Sequence, residues 1–319
     1  MDTVPPPAAF AKDFLSILDL GHVDFERLLA IAAQMKADRR LGTQAPTATA
    51  LAGRHVALLF EKPSLRTRTT FEIAIRELGG SALDVPAQFA GGTREPMEDV
   101  ARNLERWVHA IVMRTFAQKK VETVARAALQ MRVINALTDE QHPCQALADM
   151  LTALEHWRGQ VRGRTIAYVG DGNNTITSLA HASVMLGIRV HVASPPGFEL
   201  PDRVVEEAAA VAGDGAEVRR FTDPADAVAG ADAIYTDVWT SMGEEAEADQ
   251  RRRIFARYQV NERLMAGAAP NALFMHCLPA HRGEEVTAGV IESAASVVFD
   301  QAENRLHTQK ALLLMLLGA

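Results

Sequence analysis

The segment Phe60-Glu61-Lys62-Pro63-Ser64-Leu65-Arg66-Thr67-Arg68-Thr69-Thr70-Phe71-Glu72 decides how the rest of the chain is interpreted. It follows the apolar run 56–60, which is typical of a buried strand, and leads into residues 69–78, which have the pattern of a helix. Two arginines and two hydroxyl groups thus lie near a helix N-terminus, where free N–H groups already favour an anion. The segment predicts a phosphate site; pairing of Arg66 and Arg68 with carboxylates elsewhere is the alternative.

Composition limits the kind of protein that this can be. The chain has 319 residues, 48% of them apolar and 23% charged, as expected for a globular enzyme of one large or two medium domains. A net charge of -7 argues against a nucleic-acid or membrane-surface partner, so any anion site is a local basic pocket. Two cysteines, no signal-peptide pattern in residues 1–7 and no apolar run of about 18 residues indicate a cytoplasmic protein.

Strand-like and helix-like segments alternate along the chain and predict an α/β protein with parallel sheets covered on both faces. The pattern restarts near residue 165, which predicts two doubly wound domains with a boundary in or just after residues 142–158. Residues 296–299 are predicted to form the last strand and residues 302–317 a closing helix.

Unusual polar clusters follow the predicted strands. Because ligands bind at the carboxyl ends of strands in open parallel sheets, clusters at equivalent positions predict one cleft between the two domains. Six such clusters occur, at residues 61–68, 114–115, 142–145, 170–174, 236–245 and 276–282.

These clusters resemble the motifs of the carbamoyltransferase family. Ser64-Leu65-Arg66-Thr67-Arg68 is similar to its carbamoyl-phosphate motif, and His142-Pro143-Cys144-Gln145-Ala146-Leu147-Ala148-Asp149 to its second motif. Asp237-Val238-Trp239-Thr240-Ser241-Met242-Gly243-Glu244-Glu245 and His276-Cys277-Leu278-Pro279-Ala280-His281-Arg282-Gly283 are similar to the motifs of the ornithine branch. The resemblance runs from about residue 14 to residue 316.

The resemblance implies transfer of a carbamoyl group from carbamoyl phosphate to the δ-amino group of L-ornithine, giving citrulline and phosphate, in arginine biosynthesis or in reverse in arginine breakdown. It also implies a carbamoyl-phosphate domain at 1–147, an ornithine domain at 148–300 and a closing helix at 301–319 that returns to the first domain. A homotrimer with shared active sites and a reaction without metal or organic cofactor are further expectations.

Site residues follow by the same resemblance. The expected catalytic residues are Arg114, His142, Asp237 and Cys277. Carbamoyl phosphate would be bound by Ser64, Leu65, Arg66, Thr67, Arg68, Gln88, Arg114, His142, Gln145, Cys277, Leu278 and Arg305. Ornithine would be bound by Asn174, Asp237, Ser241 and Met242.

The chemistry of these groups agrees with those roles. His142 would donate to the carbamoyl oxygen and stabilise the oxyanion, and Gln145 would accept from the carbamoyl NH₂. Asp237 would bind the α-ammonium group of ornithine, and its alternative is a helix N-cap. The turn Gly170-Asp171-Gly172 is not a dinucleotide fingerprint, because Thr175 stands where the third glycine would be.

Two departures leave alternatives open. Leu65 replaces a threonine found in many ornithine enzymes and also occurs in acetylornithine and succinylornithine enzymes, and Gln88 lies two residues further from Arg94-Glu95 than the family glutamine that reaches a neighbouring subunit. N-acylornithine, putrescine and aspartate carbamoyltransferases are therefore alternatives, as is a non-catalytic anion-binding relative. An acylated amine would leave Asp237 without a charge to pair.

Overall fold

The computed structural model of the chain describes residues 11–89, 95–240 and 245–318. The first half of the fold places helices around a four-stranded sheet. Its elements are α1 (His22–Asp38), β1 (His55–Phe60), α2 (Leu65–Glu77), β2 (Ser81–Val85), α3 (Met97–Leu104), β3 (Ala110–Arg114), α4 (Gln118–Ala127), β4 (Arg132–Leu137) and α5 (Pro143–His156).

The second half is built around a five-stranded sheet. Its elements are β5 (Thr165–Val169), α6 (Asn174–Met185), β6 (Arg189–Ala193), α7 (Asp202–Ala210), β7 (Val218–Phe221), α8 (Pro224–Val228), β8 (Ala233–Thr236), α9 (Ala248–Phe255), α10 (Glu262–Met265), β9 (Leu273–His276), α11 (Ala288–Ile291) and α12 (Val298–Leu317).

Both sheets are parallel throughout and doubly wound, which confirms the predicted fold class. The strand orders are β2-β1-β3-β4 and β7-β6-β5-β8-β9. The chain therefore moves outwards in both directions from β1 in the first sheet and from β5 in the second. Parallel sheets open a crevice where the strand order reverses, and here that point lies between β1 and β3 and between β5 and β8.

Helix α12 joins the two halves. It begins beside β9 of the second sheet and packs against α1, α2 and α5 of the first half. Leu306, Leu312 and Leu313 enter the same apolar core as the strands of both sheets. The expected return of the last helix to the first domain is thereby confirmed. No helix within the described ranges is long and apolar enough to cross a membrane.

Helix α2 begins four residues before the predicted start at Thr69. Ser64 is its N-cap, and the Ser64 hydroxyl accepts a hydrogen bond from the Thr67 N–H at 3.2 Å. A serine cap stabilises a helix start because it satisfies an N–H group that has no partner within the helix. Arg66 therefore lies within the first helical turn, near the positive end of the helix dipole.

The predicted strand at residues 296–299 is wrong. Ser296 forms only an isolated bridge with Phe274, and α12 starts at Val298. Val297 and Val298 are both buried, so their apolar character reflects the core under the sheet end rather than a strand. The sequence pattern also missed α9, α10 and α11, which have eight, four and four residues and are too short to show a helical period.

We predict that Leu312→Ala in α12 lowers the free energy of unfolding by about 2–5 kcal/mol, because the fully buried side chain leaves a cavity in the shared core. Leu129→Ala is the matched control, since Leu129 is 78% exposed and should change stability by less than about 0.5 kcal/mol. Guanidinium denaturation of the three proteins measures the difference. Equal stability of the two variants would contradict the packing assigned to α12.

Candidate active site

The carboxyl ends of the central strands of both sheets face one cleft with a volume of about 1350 Å³. Because the strand order reverses beside β1 and β5, the loops after these strands are free to line the crevice. All six polar clusters contribute to it, which confirms the prediction of a single cleft. The lining includes Ser64, Arg66, Thr67, Arg114, His142, Asn174, Asp237, Cys277, Leu278 and Arg305.

Arginine side chains converge on Thr67 at one side of the cleft. The Thr67 hydroxyl lies 2.8 Å from Nη2 of Arg305 and 3.4 Å from Nη1 of Arg114. Arg66, from the first turn of α2, lines the same part of the cavity. We call Arg66, Arg114 and Arg305 the cationic trio. Within residues 11–89, 95–240 and 245–318, no member of this trio forms an ion pair with a carboxylate.

The trio lies where positive charge is costly. Arg114 and Arg305 are 7% and 2% exposed, and the Nε atoms of both are buried without a hydrogen-bond partner among the described residues. Burial, followed by the charge of Arg305, lowers the pKa of Arg114 to about 10. Burial also lowers the pKa values of Arg66 and Arg305. Like charges held together out of water favour binding of an anion, and a planar guanidinium suits phosphate oxygens.

Two residues of the predicted anion site, Arg68 and Gln88, are not among the described residues that line the cleft, and Leu65 lines it with a largely exposed side chain. Arg68 forms an ion pair with Asp84 and stacks over the Phe60 ring at 4.9 Å, as the alternative interpretation of this arginine suggested. The Leu65 side chain is 78% exposed. Gln88 is exposed in a short 3₁₀ turn and is not among the described residues that line the cleft. The roles assigned to these residues remain predictions.

His142 and Gln145 approach the trio from the start of α5. His142 is the residue before the helix, 6% exposed, and its N–H donates to the Ser178 hydroxyl at 2.8 Å. Its ring atom Nδ1 is buried and has no hydrogen-bond partner in the part of the chain that the structure describes. Burial, then the charges of Arg305 and Arg114, hold the pKa of His142 well below its ordinary value. The ring is therefore a neutral group that can donate from one nitrogen only.

Gln145 lies at the same end of α5 and contacts Arg305 directly. Its Oε1 accepts from Nη1 of Arg305 at 2.6 Å, and its Nε2 donates to Asp149 at 2.8 Å. The side chain is 1% exposed. An amide oxygen held beside the trio can accept a hydrogen bond from a ligand NH₂ group.

Asp237 follows β8 on the opposite side of the cleft. Its carboxylate accepts four hydrogen bonds, from Thr175 Oγ1 at 2.8 Å, Asn173 Nδ2 at 3.1 Å, Cys277 Sγ at 2.9 Å and the N–H of Val238 at 2.8 Å. It is 6% exposed and has no cationic partner among the residues that the structure describes. It caps no helix in that part of the chain, because α9 starts only at Ala248. A buried carboxylate supported by neutral dipoles suits a ligand ammonium group.

Asn174, the first residue of α6, also lines this side of the cleft. Its Nδ2 donates to the carbonyl oxygen of Thr138 at 2.5 Å, which links the second half of the fold to the first. Ser241 and Met242, the other predicted ornithine ligands, lie outside the described residues.

Cys277 follows β9 and lies between the two sides. Burial, then the neighbouring Asp237 carboxylate, raise the pKa of this thiol well above its ordinary value. The thiol is therefore protonated at neutral pH and is unsuited to act as a thiolate nucleophile. Leu278 has φ of 56°, and its N–H donates to Nδ1 of His276 at 2.8 Å, which holds the loop in this conformation.

The groups that could hold a cofactor or a metal are engaged with their own chain. A Cβ at Gly172 would lie 2.5 Å from the backbone of Glu199 and Leu200, so this glycine serves a close chain contact. Asp237, His276 and Cys277 bring ligand atoms within 4.8 Å of one another. The thiol donates to Asp237, and the two His276 ring nitrogens contact the N–H of Leu278 and Glu285.

Three polar side chains of this region were not singled out from the sequence. Lys62 is 4% exposed, lines the cleft and pairs with Asp139. Asn173 caps α6 and supports Asp237. Asp149 is fully buried behind Gln145. Lys62 and Asp149 lie inside or beside the two quoted motifs, and that position was the available signal. Asp139, the partner of Lys62, and Tyr235 and Gln301, two partners of Asp149, are distant in sequence.

The fold and the cleft define a two-domain α/β protein whose cleft has arginines on one side and a buried carboxylate on the other. Residues 12–155 match the family model described as the carbamoyl-P binding domain of aspartate/ornithine carbamoyltransferase, and residues 162–316 match the Asp/Orn binding domain. The chain belongs to the aspartate/ornithine carbamoyltransferase family and is a carbamoyltransferase.

Similar proteins cover almost the whole chain. An ornithine carbamoyltransferase from Parafrankia sp. is 50% identical over 309 residues, which are 96% of each chain. One from Anoxybacillus flavithermus is 48% identical over 308 residues, again 96% of each chain. The solved structure of ornithine carbamoyltransferase from Pyrococcus furiosus has a TM-score of 0.92 and 45% identity, and covers 98% of this chain and 99% of its own.

We predict that the His142 ring stays neutral as the pH falls from about 8 to about 6, whereas an ordinary histidine becomes mostly protonated over that range. The pKa of His142 is lowered because burial and the charges of Arg305 and Arg114 all disfavour the imidazolium form. NMR of the ring C–H protons measures this, with His142→Asn to assign the resonance. A titration midpoint inside that pH range would contradict the electrostatics described for the site.

Proposed function

We propose that the protein is an ornithine carbamoyltransferase, which transfers the carbamoyl group of carbamoyl phosphate to the δ-amino group of L-ornithine and releases phosphate. The observation that carries the proposal is the charge arrangement of the cleft. A trio of arginines without carboxylate partners faces a buried carboxylate, Asp237, without a cationic partner in the described part of the chain. A dianion and an ammonium group are the complementary ligands.

The carbamoyl-phosphate side follows from the contacts around Thr67. The first turn of α2, with Ser64, Arg66 and Thr67, would hold the phosphate through its N–H groups, hydroxyls and guanidinium. Arg114 and Arg305 would extend from the phosphate towards the carbamoyl oxygen. Arg68 forms an ion pair with Asp84 of β2. This pair supports a role for Arg68 in holding α2 against β2 rather than in contacting phosphate.

The carbamoyl head needs one donor and one acceptor, and α5 supplies both. The ring N–H of neutral His142 would donate to the carbonyl oxygen, and Oε1 of Gln145 would accept from the NH₂ group. The donor to the oxygen gains strength as negative charge develops there in the tetrahedral intermediate. Donors fixed in advance around a developing oxyanion are a major source of catalysis.

The ornithine side is supported by Asp237 and Asn174. Asp237 would pair with the α-ammonium group, and the amide of Asn174 would bind the α-carboxylate. The neutral δ-amine would then attack the carbamoyl carbon, forming the C–N bond. The intermediate collapses as the C–O bond to phosphate breaks, and the leaving phosphate accepts the proton that the amine loses.

Only the neutral form of the δ-amine can attack, although an alkyl amine is mostly protonated near neutral pH. A desolvated amine next to Arg114 and Arg305 would have a lowered pKa, because both burial and like charge disfavour its ammonium form. The cationic trio would thus serve phosphate binding and nucleophile activation together. Alignment of the two substrates would be the other large contribution to the rate acceleration.

Rival acceptors fit the cleft less well. An N-acylornithine would leave the buried Asp237 without an ammonium partner, and putrescine would leave Asn174 without a carboxylate. Aspartate would need further cations for its second carboxylate. In the described part of the chain, the cations that line the cleft outside the trio, Lys62, Arg251 and Arg252, already have carboxylate partners.

The oligomeric state and the location of the protein are also proposals. We infer a homotrimer with shared active sites in the cytoplasm. Gln88 supports this, because it is exposed and does not line the cleft of its own chain. Leu83, which is 46% exposed, lies on β2, an edge strand of the first sheet in the described part of the chain, and supports an interface there.

We predict that Arg66→Ala lowers kcat/KM for carbamoyl phosphate by about 10²–10⁴-fold, because an unpaired cation at the helix N-terminus is lost from the phosphate site. Arg76→Ala is the matched control: Arg76 is exposed in the last turn of the same helix and should leave kcat/KM within about twofold. A citrulline assay measures both variants. Near-normal activity of Arg66→Ala would exclude this phosphate site.

We predict that the purified protein carbamoylates ornithine at least about 100-fold faster than acetylornithine, putrescine or aspartate, because each of the other acceptors leaves a buried polar group unpaired. Colorimetric detection of the ureido product, with carbamoyl phosphate in excess, compares the four acceptors directly. Faster carbamoylation of acetylornithine than of ornithine would show that Asp237 has been assigned the wrong role.

A further inference from the structure

Asp149 is a fully buried carboxylate that takes no direct part in the proposed reaction. It lies one helical turn after Gln145 on α5, and its side chain touches three elements from both halves of the fold. Its Oδ1 accepts from Gln145 Nε2 and from Gln301 Nε2, both at 2.8 Å. Its Oδ2 accepts from the Tyr235 hydroxyl at 3.2 Å.

Every contact of this carboxylate is with a donor. Burial raises the pKa of Asp149 to about 6, while the hydrogen bonds from Gln145, Gln301 and Tyr235 lower it. The group is therefore ionised above that pH and has no proton to donate. Burial and the Asp149 charge raise the pKa of Tyr235 well above its ordinary value, so the phenol remains the donor.

An ionised carboxylate fixes which end of a neighbouring amide faces it. The NH₂ group of Gln145 has to point at Asp149, so its oxygen has to point at Arg305, which lines the cleft. The reversed amide would place oxygen against carboxylate and NH₂ against guanidinium, and would lose both hydrogen bonds. Arg305 and Asp149 thus act on the same amide from opposite sides.

The Asp149 carboxylate fixes a second amide, that of Gln301, in the same way. The Nε2 of Gln301 donates to Asp149, and its Oε1 accepts from the N–H of His276 at 3.0 Å. His276 is the last residue of β9 and immediately precedes Cys277. Asp149 is therefore linked through Gln301 to the end of β9 at the cleft. Asp149 therefore connects the amide beside the carbamoyl head with the strand end on the other side of the site.

We propose that Asp149 is a positioning residue that holds the Gln145 amide with its oxygen towards the cleft, and so makes the site selective for a carbamoyl over an acyl phosphate. The proposal rests on the proposed function, in which Gln145 accepts from the carbamoyl NH₂. Acetyl phosphate has the same phosphate and carbonyl groups but a methyl group in place of NH₂. It therefore isolates the contact that Asp149 controls.

Two substitutions separate orientation from charge. Asp149→Ala removes the acceptor, and the Gln145 amide is then free to turn. Asp149→Asn keeps an oxygen that can accept from both glutamines, and its NH₂ can donate to the Tyr235 hydroxyl. If Asp149 acts by orienting the Gln145 amide, the alanine variant loses selectivity for carbamoyl phosphate and the asparagine variant keeps it.

The test is competition calorimetry with carbamoyl phosphate, acetyl phosphate and inorganic phosphate. In Asp149→Ala we expect the Kd for carbamoyl phosphate to rise by about tenfold or more, with acetyl phosphate and inorganic phosphate changed by less than about threefold. In Asp149→Asn we expect all three values within about threefold of the unmodified protein. In a Gln145→Ala background, Asp149→Ala should cause no further loss of carbamoyl preference.

Other results would overturn the proposal. If Asp149→Ala weakened the binding of inorganic phosphate as much as that of carbamoyl phosphate, general damage to the cleft would be indicated. If the variant kept its preference for carbamoyl phosphate, Asp149 would not be needed to orient the Gln145 amide. If the alanine variant does not fold, the asparagine variant decides alone, because loss of preference there would mean that charge is required. Binding is measured without ornithine. Absence of citrulline formation would therefore refute the proposed function, whereas an unchanged preference refutes only the role of Asp149.

Discussion

Uncompensated positive charge in the cleft is the constraint on which the rest of the structure depends. Arg114 of β3 and Arg305 of α12 are far apart in the sequence but meet at the Thr67 hydroxyl. Arg66 of α2 lines the same cleft. Without a carboxylate partner in the described chain, the three arginines repel one another in a poorly solvated place. The tertiary contacts must hold them together, and the packing of α12 against α1, α2 and α5 supplies those contacts.

The opposite side of the cleft follows from the same electrostatic logic. Asp237 is buried, yet it receives four hydrogen bonds from neutral groups instead of a salt bridge. Neutral donors stabilise the ionised form without cancelling its charge, so it remains attractive to a ligand ammonium group. The cleft therefore offers two regions of opposite charge, which suit a dianion and an amino acid, and the uncharged groups His142 and Cys277 line it as well.

Much of this arrangement could be predicted from sequence because it depends on local order. Strand–helix alternation gave the doubly wound sheets, and the polar clusters after β1, β3, β5 and β8 marked the cleft. The pairing of Arg68 with Asp84 and the contacts of Asp149 with Tyr235 and Gln301 could not be predicted, because partners 16 to 152 residues apart leave no local pattern. The prediction also missed the short helices α9–α11 and assigned the buried Val297 and Val298, at the start of α12, to a strand. The reason is related, because tertiary packing overrides weak local preference.

Helix α5 explains why the two halves act as one site. Its first residues carry His142 and Gln145, whereas its buried face contacts the second half through the His142 N–H to Ser178 and through Asp149 to Tyr235. A carboxylate at this junction is more costly than an apolar side chain would be, since it needs a donor for each lone pair that it presents. The ionised carboxylate nevertheless has an effect that an apolar side chain cannot have. Because it has no protons and can only accept, it imposes a single orientation on each neighbouring amide. The polar junction thus sets the direction of the hydrogen bonds in the cleft, and the apolar core around it fixes their distance.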